Sequence, residues 1–387
     1  MIDNSIDAFF ALIKAGLWGV SNDKASHNQN LDGITEWDNV YQLTQEQSVL
    51  GLALQGIESL RILNVNLNIP QVLLLKWIGE VQLIERRNKA MNAFVAELIE
   101  KLYNHGVDVI LVKGQGVAQF YENPLRRTSG DVDLLLIKDN YQKAQKILIP
   151  ISSLTEPEDS AKKHLAINIY GWTVELHGTL RCGLSKRIDK VLDSVGNDTM
   201  RGEKPEGRGK IAREWKNGET NIHLLAVEND VFYIFIHILQ HFYKGGIGLR
   251  QICDWCRLLW SYKDSLDYNL LEQQIKKAGL VNEWRAFNAF VVSFLGMPKE
   301  AMPLYVDSSK WQKKAEKIRG FIFEVGDFGR NRDASYYGKY PFLIRKTMSF
   351  GQRLKDVTRH ARIFPLDSVR FFFGILYNGI VSSLRGE

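Results

Sequence analysis

The sequence contains few cysteines and no long uncharged apolar run. Three of its 387 residues are cysteine, too few for the disulfide framework of a small secreted domain. Cys253 and Cys256 have CxxC spacing, but no second pair completes a zinc site, so we expect both to pack within a helix. No segment of transmembrane length is free of charge, and the first residues lack the basic stretch of a secretory signal. We therefore expect a globular protein of the reducing cytoplasm.

Several signatures of well-known catalytic folds are missing as well. Gln119 stands where a dinucleotide-binding fingerprint has its third glycine after Gly114 and Gly116. No Gly-Lys-Ser/Thr follows at the spacing of a Walker A loop. His237 and His241 are four residues apart, but no glutamate follows His237, so the His-Glu-x-x-His pattern of metalloproteases is absent. These absences exclude, at the level of motifs, a dinucleotide-binding domain, a P-loop NTPase and a metalloprotease.

The composition is that of a folded protein with a mild excess of positive charge. Apolar residues make up 45% of the chain and charged residues 24%, and the length predicts more than one packed unit. The 50 lysines and arginines against 44 acidic residues give a net charge of +6. This excess is compatible with an anionic partner such as a nucleotide or a nucleic acid, and equally with a solvated basic surface.

The apolar pattern changes twice along the chain. Residues 1–105 and 227–387 repeat apolar side chains at helical spacing, with one helix predicted over Leu43–Leu63, whereas residues 106–226 contain short β-branched runs. We predict an α+β fold in which a small mixed-sheet core at 106–226 lies between an N-terminal helical region and a C-terminal helical domain. A polar, glycine-rich stretch, Val195–Gly218, is predicted to be a loop. The predicted strands are Val107–Val112, Val132–Ile137, His164–Tyr170, Thr173–Leu180 and Asn221–Leu225.

Two aspartates at the start of a predicted strand are the strongest chemical signal. Asp131 and Asp133 are two residues apart, so their side chains share one face of the strand. Carboxylates crowded at the mouth of a buried strand need a cation to compensate them. Mg²⁺ prefers hard oxygen ligands, so the pair predicts a site for one or two Mg²⁺ ions. The alternative is a strand-start turn with solvated carboxylates.

Glu175 is the candidate third carboxylate. It alternates with Val174 and Leu176 in an apolar strand and shares its face with His177. If that strand runs beside the Asp131 strand, Glu175 is a third metal ligand or the general base for an acceptor hydroxyl. The alternative is an edge-strand residue that faces water, with His177 packing under the site or capping the hairpin.

The turn before the aspartates has the features of a phosphate-binding segment. A strand that turns through Gly114 and Gly116 into a helix exposes backbone N–H groups to an anion, and Lys113 adds a charge. Arg127 is expected to clamp phosphate oxygens in bidentate fashion. The predicted nucleotide-binding residues are Lys113, Gly114, Gly116, Arg127, Ser129 and Gly130.

Together these motifs resemble the nucleotidyltransferase superfamily, and more narrowly an uncharacterised bacterial nucleotidyltransferase family. The linked string from Lys113 to Asp133 is the specific part of the resemblance. Two departures are the Gly114–Gly116 turn, which has glutamine in place of the commoner Gly-Gly or Gly-Ser, and a glutamate as the third carboxylate. The matching residues are Lys113, Gly114, Tyr121, Pro124, Arg127, Gly130 to Leu135, Val174 to His177, His237, His241, Arg250 and Asp254.

The resemblance implies transfer of a nucleoside monophosphate from a nucleoside triphosphate, ATP among them, to a hydroxyl acceptor. The acceptor is a small molecule, a sugar phosphate, an RNA end or a protein side chain. Two alternatives remain open at this stage: a non-catalytic nucleotide-binding or regulatory module that retains the fold, and a toxin-like enzyme that modifies tRNA or protein.

Four further residues are expected near a substrate groove. They are His177, His237, His241 and Arg250. The two histidines at 237 and 241 share a helical face and either support the groove, contact phosphate or base, or serve packing alone. Arg250 and Asp254 are also four apart, so a simple helical ion pair is the other interpretation. The basic segment Arg345–Arg362 is either a solvated face or a surface for RNA or another anion.

Overall fold

A seven-stranded mixed sheet forms the centre of the fold. The computed structural model describes residues 2–19, 36–201, 213–326, 351 and 354–374. The strands follow the order β3-β4-β5-β2-β1-β7-β6, with β1 antiparallel to β2 and parallel to β7, and with β2 parallel to β5. They are β1 (Ile110–Val112), β2 (Val132–Leu135), β3 (Leu154–Thr155), β4 (His164–Ile169), β5 (Trp172–His177), β6 (Arg213–Asn217) and β7 (Thr220–Leu224).

Helices make up most of the described chain outside the sheet. Residues 354–361 and 365–374 are also helical. The helices are α1 (Ile2–Trp18), α2 (Trp37–Glu46), α3 (Leu50–Ile62), α4 (Gln71–Asn104), α5 (Gly114–Ala118), α6 (Asp139–Leu148), α7 (Lys186–Arg201), α8 (Val227–Lys244), α9 (Leu249–Tyr262), α10 (Tyr268–Ala278), α11 (Val281–Leu295) and α12 (Ser309–Val325). This mixed architecture confirms the predicted α+β class, while the division into three domains stays a prediction.

The two faces of the sheet bury different sets of side chains. Alternation along β2 and β5 turns Leu134 and Val174 toward a core that they share with the second half of α4 and with α6. The opposite face turns Leu135 toward a larger core that contains α8 and α9. The charged residues of the two strands, Asp133 and Glu175, lie on this second face. The sheet therefore presents its carboxylates toward α8 and not toward α4.

Strand pairing brings the predicted carboxylates together. In the parallel β2–β5 pair, Asp133 lies directly opposite Glu175. On the other side of β2, Asp133 lies opposite Val112, the last residue of β1. The chain therefore leaves β1 at Lys113 beside the carboxylates. This confirms that the Glu175 strand runs next to the aspartate strand.

The predicted helix Leu43–Leu63 is interrupted. The structure has two helices, α2 and α3, with Ser48 between them in a left-handed conformation (φ 57°). Gln47 explains the interruption, because its buried side chain accepts the backbone N–H of Leu249 (3.1 Å) at the start of α9. This contact gives a partner to an otherwise unsatisfied N–H at the start of α9.

The predicted loop Val195–Gly218 is wrong at both ends. Helix α7 continues to Arg201, and its Ile188, Leu192 and Val195 are buried at helical spacing. Strand β6 occupies Arg213–Asn217 and pairs with β7 through a turn at Gly218 (φ 62°). It is an edge strand with polar residues, so its sequence lacks the apolar run that marks a buried strand. Residues 202–212 lie outside the described chain.

Helices from both ends of the chain share one core. Phe9 and Phe10 of α1 contact Phe323 of α12 edge-on, with ring centroids 5.8 and 5.7 Å apart. Cys253 and Cys256 are buried in α9 without a disulfide, as the sequence predicted. Among the described residues, no helix has both the length and the apolar character needed to cross a membrane. Of the basic segment at 345–362, residue 351 and residues from 354 onward are described, and 354–361 are helical.

Candidate functional site

A cleft of about 360 Å³ lies in front of the carboxylates. Its volume falls in the range of small-molecule sites, about 300–1,000 Å³. Residues from the sheet, from the segment before β2, from α8 and from α9 line it. Of the sequence-predicted residues, these line the cleft: Lys113, Gly114, Arg127, Gly130, Asp131, Asp133, Glu175, His177, His237, His241 and Arg250. Gly116 and Ser129 do not.

Lys113 places a cation inside the acidic cluster. Its Nζ is 2.6 Å from Asp133 Oδ1, and both side chains are largely buried. Burial works to lower the pKa of Lys113, but Asp133, Tyr233 and Glu175 together raise it above its ordinary value. The backbone at Lys113 is left-handed (φ 57°), a conformation that costs a side-chain-bearing residue about 1–3 kcal/mol. The backbone is therefore strained at the residue whose ammonium group contacts the carboxylates.

Two histidines complete the network around the carboxylates. His177 Nε2 lies 2.9 Å from Asp133 Oδ1 and 3.3 Å from Glu175 Oε2. His164 Nε2 lies 3.2 Å from the same Glu175 oxygen. Burial works to lower the pKa of His177, but the two carboxylates raise it. For Glu175, burial works to raise the pKa, whereas hydrogen bonds from His164 and His177 and the charge of Lys113 bring it well below its ordinary value.

Asp131 is the exposed member of the acidic cluster. It precedes β2 and points into the same cleft as Asp133 and Glu175. Desolvation by the cleft walls raises the pKa of Asp131, and the negative charges of Glu175 and Asp133 raise it further. Lys113 and Arg250 oppose this rise only in part.

Arg127 has a protein partner in place of the expected phosphate. Its Nε donates to Asp254 Oδ1 (2.7 Å) and its Nη2 to Asp254 Oδ2 (2.6 Å), a bidentate pair that is almost fully buried. Tyr121 donates its hydroxyl to the same Asp254 (2.8 Å). Arg127 therefore makes the bidentate interaction that the sequence predicted, but its partner is Asp254 and not phosphate. The pair holds α9 to the segment before β2. Asp254 consequently has Arg127 as its bidentate partner, while Arg250 Nη1 donates to Thr128 O (3.2 Å).

Ser129 and Gly116 have structural partners. The Ser129 hydroxyl accepts from Arg127 Nη1 (3.0 Å) and donates to Gln115 Oε1 (2.7 Å). Gly116 is buried, and a Cβ there would stand 2.8 Å from Leu224 Cδ2 of β7. Both residues therefore fix the turn rather than face the cleft, which corrects the expectation that they contact phosphate.

Gly114 and Gly130 both line the cleft near Asp131. Gly114 has a positive φ (42°), and a Cβ there would meet the Asp131 carbonyl oxygen at 3.4 Å. Gly130 has open space where a Cβ would be. These are the glycines at which backbone and a ligand phosphate can approach closely.

Helix α8 covers the cleft with neutral polar groups. His237 and His241 are one turn apart, and their Nε2 atoms lie 3.0 Å from each other. Desolvation lowers the pKa of His241 to about 4 and that of His237 well below its ordinary value, and the charge of Lys113 adds to both effects. The two rings are therefore neutral at physiological pH, one donating to the other.

The sequence interpretation missed several residues of the cleft. His164 is the most important, because it reaches Glu175 from β4. Its position could have been inferred from the predicted hairpin, because antiparallel pairing around Gly171 sets His164 opposite His177. Tyr233, on the same face of α8 as His237, is the second. The other polar ones are Lys162, Thr179, Arg181, Gln240 and Gln251.

Comparison with known proteins identifies a family for most of the chain. Residues 34–296 match the model of a family described as uncharacterised nucleotidyltransferase. The chain also has a structural similarity, with a TM-score of 0.31 and 13% identity, to the crystal structure of an antigenic nucleotidyltransferase-like protein from Paracoccidioides brasiliensis. That similarity covers 53% of this chain and 92% of the other, and is too low to add to what the sheet topology establishes. No curated protein matches the chain at a significant level.

Proposed function

The chain belongs to the family of uncharacterised nucleotidyltransferases, and from this premise we propose that it transfers a nucleoside monophosphate from a nucleoside triphosphate to a hydroxyl acceptor. An acceptor oxygen attacks the α-phosphorus, the bond to the bridging oxygen breaks, and pyrophosphate leaves. The acceptor proton passes to a carboxylate of the cleft. Candidate acceptors are a small molecule, a sugar phosphate, an RNA end and a protein side chain.

One observation carries the proposal: three carboxylates from adjacent segments of the sheet share one cleft. Asp133 and Glu175 are cross-strand neighbours, and Asp131 lies at the mouth. Desolvation raises the pKa of Asp131, and repulsion from Glu175 and Asp133 raises it further; a divalent cation would relieve that repulsion. All the donors are carboxylate oxygens, so the set fits Mg²⁺.

Bound there, Mg²⁺ would supply charge compensation for the triphosphate and its transition state. The residues Asp131, Asp133 and Glu175 would hold it. Lys113, beside Asp133, supplies the nearest side-chain cation for phosphate oxygens. Gly114 and Gly130 leave room for a phosphate to approach the backbone. Arg250 contributes positive charge from the α9 side of the cleft.

A second candidate function, nucleotide binding without turnover, is favoured by a different observation. Lys113 and His177 both contact Asp133 Oδ1, at 2.6 and 2.9 Å. In a module without catalysis, the Lys113 ammonium and the His177 ring would compensate the carboxylate permanently and replace the metal. The two functions differ in one measurable respect, because the module binds nucleotide but releases no pyrophosphate.

The direct test removes the two aspartate charges without changing side-chain size. Wild type and the double variant Asp131→Asn, Asp133→Asn are incubated with Mg²⁺, each nucleoside triphosphate and a cell extract as acceptor source. We measure binding of Mg·NTP and release of pyrophosphate. We expect the variant to bind at least about 100-fold more weakly, since losing two charged ligands removes more than about 2.7 kcal/mol.

The matched control is Asp264→Asn, which removes an exposed carboxylate outside the cleft and keeps the same change of side chain. It is expected to behave as wild type. Equal Mg·NTP binding by wild type and the double variant would refute the site. Tight binding with no pyrophosphate release from any acceptor would establish the non-catalytic module instead.

A further inference from the structure

Two histidines and one glutamate converge at the β4–β5 side of the cleft. His164 Nε2 and His177 Nε2 lie 3.2 and 3.3 Å from the same Glu175 oxygen, and one ligand atom from each residue lies within 4.8 Å of the others. Antiparallel pairing produces this arrangement, since His164 is opposite His177 and Ala166 is opposite Glu175.

These spacings match those of ligands around a single ion. Zinc-type ions bind imidazole nitrogen and carboxylate oxygen at about 2.0–2.2 Å, so neighbouring ligands of a tetrahedral ion are about 3.4 Å apart. The two nitrogen–oxygen separations, 3.2 and 3.3 Å, fall just below this value. The trio can therefore close on an ion with small side-chain rotations.

The donor chemistry differs from that of the three carboxylates. Two neutral imidazole nitrogens and one carboxylate oxygen suit a borderline ion such as Zn²⁺, Co²⁺ or Mn²⁺, whereas Mg²⁺ favours oxygen donors alone. His164, Glu175 and His177 all line the cleft and keep 32%, 25% and 12% of their side-chain surface exposed. An ion held by three protein groups at a cleft wall retains an open position for water or substrate.

We propose that His164, Glu175 and His177 form a binding site for a divalent transition metal ion, separate from the oxygen-only Mg²⁺ site but sharing Glu175 with it. A bridging carboxylate is the usual connection between ions in two-metal sites. The site does not depend on nucleotidyl transfer, because it is defined by metal binding alone. Its open position faces the same cleft as Asp131, so an ion there would contact a bound phosphate or acceptor group.

The test uses the full chain freed of metal with a chelator and then titrated with Co²⁺. Nitrogen-coordinated Co²⁺ of low coordination number absorbs visible light much more strongly than Co²⁺ surrounded by six oxygens, so the spectrum reports the donor set without any activity assay. We expect one Co²⁺ per chain with intense absorption, displaced by Zn²⁺ and not by Mg²⁺. His164→Gln is expected to weaken binding at least about tenfold, because even the loss of a residue that merely orients a ligand costs about 10–100-fold.

Two variants separate this site from its alternatives. His105→Gln removes an exposed histidine on another part of the surface and is expected to leave the titration unchanged. Asp131→Asn is expected to weaken Mg·NTP binding while keeping the Co²⁺ spectrum, whereas His164→Gln is expected to weaken Co²⁺ binding. A wild-type spectrum of six-oxygen character, or equal Co²⁺ affinity of wild type and His164→Gln, overturns the proposal. Failure of wild type to bind Mg·NTP would instead refute the proposed function and leave the Co²⁺ result standing.

Discussion

Lys113 and a divalent cation have the same electrostatic role at Asp133. The ammonium is 2.6 Å from the carboxylate and is almost enclosed, so it already supplies the positive charge that the acidic cluster needs. A metal ion that binds the same carboxylate must share it with Lys113 or displace the ammonium toward the cleft. A displaced ammonium would stand where a triphosphate needs a cation.

Replacing Lys113 with methionine should therefore change metal and nucleotide affinity in opposite directions. We expect Lys113→Met to bind Mn²⁺, as a spectroscopic stand-in for Mg²⁺, about 3–10-fold more tightly, because a competing charge is gone. We expect it to bind nucleoside triphosphate at least about tenfold more weakly, because a charge-assisted hydrogen bond is worth about 1.5–3 kcal/mol. Electron paramagnetic resonance titration and equilibrium dialysis measure the two affinities.

Lys138 offers a close control for this substitution. It also lies between a strand and a helix with a left-handed backbone (φ 59°), but its side chain is exposed and outside the cleft. Lys138→Met is expected to change neither affinity. Weaker Mn²⁺ binding by Lys113→Met would mean that the lysine supports the metal site instead of competing for it.

Whether the sequence predicts the position of a site residue depends on how close in the chain the residues that determine that position are. Asp133 was predictable because strand periodicity turns it away from Val132 and Leu134, and Asp131, which precedes β2, lines the same cleft. The partner of Arg127 was not, since Asp254 lies 127 residues further along the chain and only the packing of α9 brings it close. His164 lay between these cases, because hairpin register implied its position opposite His177 but its approach to Glu175 is diagonal.

The segment before β2 is held by helices on two sides. Asn88 of α4 donates to the carbonyl oxygens of Leu125 and Arg127, both at 2.7 Å. Asp254 of α9 holds the Arg127 guanidinium from the other side. Asp131 itself has no secondary structure, so these contacts determine where its carboxylate points. Positioning of the exposed aspartate thus depends on elements far away in the sequence.

Breaking the Arg127–Asp254 pair should be costly for the fold. We expect Asp254→Asn to lower the free energy of unfolding by about 3–5 kcal/mol, because it leaves a buried guanidinium uncompensated. The double variant Arg127→Met, Asp254→Leu should recover part of that loss, since no buried charge remains. Urea unfolding of the three proteins measures this.

The control for that pair is Glu272→Gln, which breaks an exposed ion pair with Lys276 one helical turn away. Its expected cost is below about 0.5 kcal/mol. If Asp254→Asn were as mild as this surface variant, the buried pair would have no special role in holding the segment. If the double variant were less stable than Asp254→Asn, the pair would contribute net stability beyond charge compensation.

Among the helices and strands, apolar periodicity was a good guide to the buried elements. The polar elements at the edges of the fold could not be predicted in this way. The buried helices and the central strands β1, β2, β4 and β5 have apolar patterns typical of the structures they adopt. The edge strand β6 and the last turns of α7 are polar, so their pairing and packing partners, rather than their own sequences, determine their conformation. Gln47 interrupts a continuous helical pattern for a reason visible only once α9 is in place.

Across the whole molecule, the C-terminal helices are joined by a buried acidic contact. Glu283 of α11 is fully buried and accepts from the Tyr243 hydroxyl of α8 (3.4 Å). Asp367, in the helical residues 365–374, interacts with the same carboxyl group. Burial and then the charge of Asp367 raise the pKa of Glu283 to about 8. Three helices therefore pack around a carboxyl group that is protonated at neutral pH.

This carboxyl group should make the stability of the protein fall as pH rises. In the unfolded chain Glu283 loses its proton near pH 4.3, whereas in the folded chain it keeps the proton until about pH 8, so the folded state binds more protons between these values. Stability from this group is complete below about pH 4.3 and is lost progressively up to about pH 8. Glu283→Gln, neutral throughout, should therefore gain stability relative to wild type by about 2–4 kcal/mol between pH 5 and pH 8.

Urea unfolding at both pH values measures the difference, with the exposed Glu300→Gln as a control that should show none. If the free energies of unfolding of Glu283→Gln and wild type differed by the same amount at both pH values, the carboxyl group would not change its proton occupancy on folding. The contact among α8, α11 and residues 365–374 would then tolerate a charge.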